Sequence, residues 1–169
     1  MKVVKDAMVL INQAKVTILE KSCNYFQNVF IPKLVFEETV IAGKKKGSHD
    51  ALLIEEMINT HKIAVKEIKE KKNIIAVELF SVYGGEAESV ALYKQEKAEL
   101  LMTDDDNVRK KKDILNIKVI GSLGILLKLR KENVIDRNKF SSALEQFRKI
   151  GWFSSSILDK VHMEGEKYE

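Results

Sequence analysis

The chain predicts an α/β fold, a three-layer α/β/α sandwich around a central, mostly parallel sheet. Two observations carry this expectation. Short apolar runs ("MKVVKD", "VFIP", "ELLMT", "KVIG") alternate with longer stretches whose apolar residues recur at helical spacing. That alternation suits parallel strands joined by helical crossovers and covered by helices on both faces. In addition, 169 residues suffice for one domain with a proper core, and no internal repeat, low-complexity tract or linker divides them.

The elements follow in order. "MKVVKD" reads as the first strand, "MVLINQAK" and "TILEKSCNYF" as helical turns, and "VFIP" as a short second strand closed by Pro32, the sole proline. "KLVFEETVIAG" places Leu34, Val35, Glu38 and Ile41 at helical spacing and is expected to stop at Gly43. "SHDALLIEEMINT" is a helix capped by Ser48, and "KIAVKEIK" is an edge strand. "NIIAVELFSVY" runs into Gly84-Gly85 as a helix, and "GEAESVALYKQEKA" is a helix with Val90, Leu92 and Tyr93 inward. "ELLMT" is a buried strand, "DNVRKKKDILN" a helix and "KVIG" a last strand. Two amphipathic helices, "SLGILLKLRKEN" and "DRNKFSSALEQFRKIG", come next, and a helical tail from Ser154 frays at "GEKYE".

Hydrophobic content of 45% with 32% charged residues excludes a disordered chain. No apolar run approaches the roughly 20 residues of a membrane-spanning helix, so no membrane partner is expected. One cysteine, Cys23, allows no disulfide within this chain and suits the core. The N-terminal stretch has an acid at its centre and no cleavage site, which fits a cytoplasmic protein. Net charge is +4, with lysine-rich clusters at 44–46, 69–72, 109–112 and 128–131. Such a balance is compatible with a nucleic-acid partner, and solvated helix faces explain any single cluster equally well. His49, His61 and His162 have no ligand spacing with one another or with Cys23, so zinc is not expected.

The acids carry the chemistry. In a parallel sheet, functional groups gather at the carboxyl ends of the strands. Asp6 closes the first strand, and Asp104, Asp105 and Asp106 close "ELLM". Glu86 follows the double glycine, and Glu37 and Glu38 lie one turn into the helix after "VFIP". A carboxylate in a helix's first turn also satisfies free N–H groups, which alone would explain Glu86 and Asp105 or Asp106. Asp6 has no cap to make on this reading and would carry a desolvation cost. Together these acids converge on one edge, as a hard-cation site for Mg²⁺ or Mn²⁺ requires. "GSLG" (Gly121 to Gly124) opens a helix and suits either a phosphate or tight strand-to-helix packing.

"MKVVKDAMVLI", "IPKLVFEETV", "GGEAESVAL", "LLMTDDDNVRK" and "KVIGSLGILLKLRKENVI" resemble, in that order, the successive motifs of PIN-domain proteins, in the branch related to VapC-type toxin ribonucleases. The resemblance runs from Met1 to about Trp152. It implies a PIN-like domain over residues 1–153, with 154–169 a helical tail of the same domain. It implies catalytic carboxylates at Asp6, Glu38 (Glu37 being the other register), Glu86, Asp104 and Asp105, with Asp6, Glu86, Asp104 and Asp105 holding Mg²⁺ or Mn²⁺. It further implies RNA as substrate, with Arg109, Lys110, Lys44 and Lys45 as the basic contacts, an antitoxin partner and a homodimer. The apolar surface for pairing would come from Leu52, Leu53 and Met57 or from the aromatics near Trp152.

Two positions depart from the family's pattern. Lys5 replaces an apolar residue before the first aspartate, and Met8 replaces a small hydroxyl or amide residue that supports the site. Lys5 is expected to snorkel to the rim or to pair with an acid. Met8 can donate no hydrogen bond. They keep open a second reading, a catalytically impaired PIN-like domain that binds RNA or protein. A third is an unrelated small α/β enzyme with a phosphate ligand at Gly121–Gly124.

Overall fold

In the computed structural model, which describes residues 1–168, strand β1 (Lys2–Lys5) leads through helices α1 (Ala7–Lys15) and α2 (Leu19–Phe26) to β2 (Asn28–Pro32). Helix α3 (Lys33–Phe36) passes through a π-helical turn (Glu37–Ile41) into α4 (Ala42–Lys45), followed by α5 (His49–Asn59) and β3 (Ile63–Lys66). Helices α6 (Lys71–Glu78) and α7 (Gly84–Gln95) then lead to β4 (Leu100–Met102). After it come α8 (Asp106–Lys110), α9 (Lys112–Leu115), β5 (Val119–Ile120), α10 (Ser122–Lys131), α11 (Arg137–Ile150) and α12 (Ser155–Gly165).

The five strands pair in the order β3-β2-β1-β4-β5, all parallel. Side chains alternate between the two faces of a strand, and both faces here are covered. Val3 joins a core built with α1, α2, α5, α10 and α11, whereas its neighbour Val4 joins the core under α6 and α7. Leu101 and Met102 divide in the same way on β4. The sheet is therefore the middle of three layers, and only the strand ends are left for polar chemistry.

Several expectations need correction. Gly43 does not stop its helix. A Cβ there would lie 2.8 Å from Ala51 Cβ, so this glycine lets α4 and α5 approach, and the turn to α5 falls at Gly47, where φ is +69°. The stretch "DNVRKKKDILN" is two short helices, because the chain leaves helical geometry at Lys111, whose amine reaches the Phe80 carbonyl 2.5 Å away. Ser48 occupies the N-cap position of α5, but its hydroxyl hydrogen-bonds to Asp50 rather than to the helix backbone.

Lys5 neither snorkels nor meets an acid. It is fully buried, and its amine donates to Gln13 Oε1 (2.5 Å) and Ser22 Oγ (2.8 Å) on α1 and α2. Burial pulls the Lys5 pKa well below the ordinary lysine value. Cys23 is buried as expected. Trp152, near which a pairing surface is expected, is 62% exposed.

Candidate active site

The Asp6 backbone N–H donates to the Met102 carbonyl at 3.0 Å, which fixes the ends of the two central strands side by side. Asp6 and the Thr103–Asp106 stretch thus leave the sheet together. The chain turns from β1 into α1 without a loop, so one Asp6 oxygen accepts the Val9 N–H at 2.9 Å and caps that helix. The expectation that Asp6 has no cap to make is thereby corrected. Its carboxyl is only 4% exposed and is pushed up to about 7. Burial is the main cause, hydrogen bonds from Thr103 and Val9 oppose it, and the nearby charges of Asp104 and Glu86 add to it.

Asp104 is the most firmly held acid. Asn12 Nδ2 donates to it at 2.9 Å, the Ser122 N–H at 2.7 Å and the Ser122 hydroxyl at 2.5 Å. The "GSLG" turn therefore points its donors at a carboxylate of the chain itself. Gly121 allows the approach, since a Cβ there would come within 2.8 Å of Asp104 Oδ1 and 3.2 Å of the Arg109 guanidinium. Asp105 caps α8 by accepting the Val108 N–H at 2.7 Å, while its own N–H donates to Thr103 Oγ1 at 3.1 Å. Asp106 is exposed in the first turn of that helix.

On the other side of β1, the π-helical turn closes with the Ala42 N–H donating to the Glu37 carbonyl. One extra residue in a turn re-aims the side chains within it, and such turns recur at functional sites. Glu38 is brought against the start of α7, where a Cβ on Gly85 would sit 2.6 Å from Glu38 Oε2. Burial raises the Glu38 pKa, Glu86, Glu88 and Glu37 raise it further, and a hydrogen bond from the Gly85 backbone works against them. Gly84 has φ +60°, a conformation glycine adopts readily, so each residue of the pair has a physical reason. Glu86, exposed in the first turn of α7, lies between Glu38 and Asp6 and raises both of their pKa values.

The carboxylates thus form an arc from Glu38 through Glu86 and Asp6 to Asp104 and Asp105. Asp104, Asp105 and Asp106 line a cleft of about 350 Å³, and Glu86 and Asp105 line an adjoining one of about 210 Å³. None of the five arc residues forms an ion pair among the described residues. Among the described residues, no three acid, histidine or cysteine side chains are grouped closely enough to hold a metal as they stand. The donor set nonetheless fits a hard cation, being all carboxylate oxygen, and a bound cation would favour the ionised Asp6 that burial, and to a lesser degree the nearby Asp104 and Glu86 charges, disfavour.

Of the basic residues, Arg109 borders the acid cleft and Lys110 the cleft beside it. Lys44 is paired with Glu55 at 2.8 Å, and Lys45 is exposed at the end of α4; neither borders the acid clefts. Sequence reasoning missed Asn12 and Thr103, reached Ser122 only within the "GSLG" turn, and gave Trp152 to a pairing surface and not to the cleft. Asn12 was findable, because it follows Met8 by four residues and so shares its helix face. Met8 lines the acid cleft, and the support it cannot offer comes to Asp104 from Asn12.

A parallel α/β/α sandwich with carboxylates collected where its central strands end is a nuclease-like architecture. The chain belongs to the PIN-domain family, whose model matches residues 2–164, every acid of the arc and most of α12 included. PIN domains are in general nucleases that use divalent metals. Comparison with curated proteins and with solved structures gave no match.

Proposed function

We propose that the protein is a ribonuclease that cuts RNA phosphodiester bonds with Mg²⁺ or Mn²⁺ held by Asp6, Glu86, Asp104 and Asp105, with Glu38 completing the catalytic set. The observation that carries this reading is Asp6, a buried carboxyl raised to about 7 with Asp104 and Glu86 near it and no basic partner among the described residues. Such an arrangement is costly for the fold alone and is suited to a divalent cation. When bound, the cation supplies a more acidic water and neutralises charge on the phosphate. The chain's own part is positional. Asn12 and Ser122 hold Asp104 in one orientation, Thr103 and the Val9 N–H do the same for Asp6, and Arg109 meets the phosphate's negative charge.

The second reading, an impaired domain that only binds RNA or protein, rested on Lys5 and Met8. Lys5 is bonded to Gln13 and Ser22 and to no acid of the arc, and Asn12 supplies a hydrogen bond that Met8 cannot, so the ribonuclease reading is favoured. The role as toxin of a toxin–antitoxin pair, with an antitoxin partner, rests on the motif resemblance. A homodimer is supported by exposed Leu52 on α5 and by an apolar hollow of about 150 Å³ beside it, bordered by Leu53 and Met57. Sedimentation as a monomer at micromolar concentration would count against it.

Cleavage of mixed RNA tests the main proposal. Activity should require Mg²⁺ or Mn²⁺, stop with chelator, and fall by orders of magnitude in Asp6→Asn and Asp105→Asn. Equal traces in all three proteins would mean contamination, and the binding-module reading would then stand.

A further inference from the structure

The acid cleft has a second wall that the carboxylates do not explain. Besides Asp104 and Asp105 it is lined by Trp152, Phe153 and Ile157, and Trp152 is 62% exposed. An exposed indole at the mouth of a charged cleft gains nothing for the fold. Its place in the chain is set by its neighbours. Gly151, at φ +79°, ends α11, and Ser154 caps α12 by accepting the Ile157 N–H, which leaves a two-residue link between the helices. Phe153 anchors that link by packing edge-on against Phe147, with ring centroids 5.4 Å apart. With Phe153 packed on Phe147, the backbone sets Trp152 at the border of the cleft.

The cleft also continues. Asp106, Arg109 and Ile157 border a neighbouring groove of about 450 Å³ whose other walls include Lys110 and Lys112. Arg109 is free of ion pairs among the described residues, although it lies near Asp104 at Gly121. An aromatic face and a set of acids therefore share one cleft, and a basic strip borders the cleft adjoining it. That combination matches a single polynucleotide strand, whose bases stack and whose backbone is anionic, better than a protein surface.

We infer that Trp152 is a base-stacking platform that seats an unpaired nucleotide next to the scissile phosphate, with Arg109, Lys110 and Lys112 tracking the backbone beyond it. The inference rests on the ribonuclease reading and deepens it, because it names the residue that would seat a base beside the cut. A paired base is already stacked on its neighbours and cannot present a free face to the indole.

Trp152 is the sole tryptophan, so its emission reports on this position alone. Rapid mixing with a single-stranded RNA of mixed sequence in Mn²⁺ should quench that emission saturably before products appear. The same RNA annealed to its complement should quench it little. In steady-state cleavage, Trp152→Ala should raise KM roughly 10–100-fold with kcat nearly unchanged, and Trp152→Phe should recover most of the loss. Lys110→Ala and Lys112→Ala should weaken binding of all sequences alike and flatten its salt dependence. If the wild type cuts RNA and Trp152→Ala cuts it with the same KM, the platform is wrong and the ribonuclease reading survives. If the wild type neither binds nor cuts RNA, both fail. Emission that changes with protein concentration alone would put Trp152 in a protein contact and overturn the inference.

Discussion

Asn12 and Asp104, 92 residues apart in sequence, are joined by a 2.9 Å hydrogen bond from the α1 amide to the carboxylate after β4. The bond does for Asp104 what helix capping does for Asp6 and Asp105. It selects one orientation of a carboxylate that would otherwise rotate. Asn12→Ala should therefore lower cleavage about 10–100-fold, the usual range for a residue that orients a metal-binding side chain. Thermal unfolding of the same variant should fall by about 1–3 kcal/mol, because Asn12 is itself buried. A variant of full activity would remove Asn12 from the site.

Asp6 gives stability a defined pH dependence. Its pKa is about 7 in the folded chain against an ordinary value of 3.8, so between these the folded state holds a proton that the unfolded state has released. In chelator, this contribution is complete below about pH 4 and is lost as pH rises through about 7. The whole effect is on the order of 4 kcal/mol. Melting curves from pH 4 to 8 should show the wild type losing stability over that window. Asp6→Asn should be flatter and the more stable protein at pH 8. A wild-type curve that rises from pH 4 to 8 would contradict the assignment.

Gly84 and Gly85 should respond differently to alanine. At Gly84 the positive φ makes any Cβ strained, and the cost should be about 1–2 kcal/mol of stability. At Gly85 the backbone is ordinary, and the added methyl meets only the movable end of Glu38. Gly85→Ala should thus melt close to the wild type yet lose activity, because Glu38 is displaced. Paired melting and cleavage measurements on the two variants separate these effects.

Lys5 is a buried amine with two neutral partners, one of which, Gln13, leaves its Nε2 without a hydrogen bond. Its depressed pKa means that the unfolded chain binds more protons, so this group costs stability at neutral pH and the cost shrinks as pH rises toward 10.5. Replacing both groups, in Lys5→Met with Gln13→Met, should stabilise the protein at pH 7 by about 1–4 kcal/mol with cleavage intact. A loss of cleavage would mean that the amine acts on the site from the far side of β1.

Much of the architecture could be read from periodicity, since "VV", "LLM" and "VFI" are too short and too apolar for surface helices and sit between clear amphipathic stretches. What could not be read was glycine's role at Gly43. A helix stop and a close helix crossing look alike until Ala51 is known to lie opposite. The π-helical turn was hidden for a related reason, because its extra residue leaves the local pattern of "KLVFEETVIAG" compatible with a plain helix. The acids stood out in the sequence because several of them fall where parallel strands end, the edge at which functional groups gather. Their supports did not, because Asn12, Thr103 and Ser122 are ordinary polar residues whose meaning comes from what they face.

The order in which the strands pair also sets when the site can exist during synthesis. β1, made first, lies at the middle of the sheet, and its partner on one side is β4, nearly a hundred residues later. Ser122, which holds Asp104, comes later still. A nascent chain that has released only its first ninety residues holds Asp6, Glu38 and Glu86 but lacks the strand that sets Asp6 beside the remaining acids. Contacts of such long separation form slowly and late. The arc is therefore completed only once most of the domain has left the ribosome.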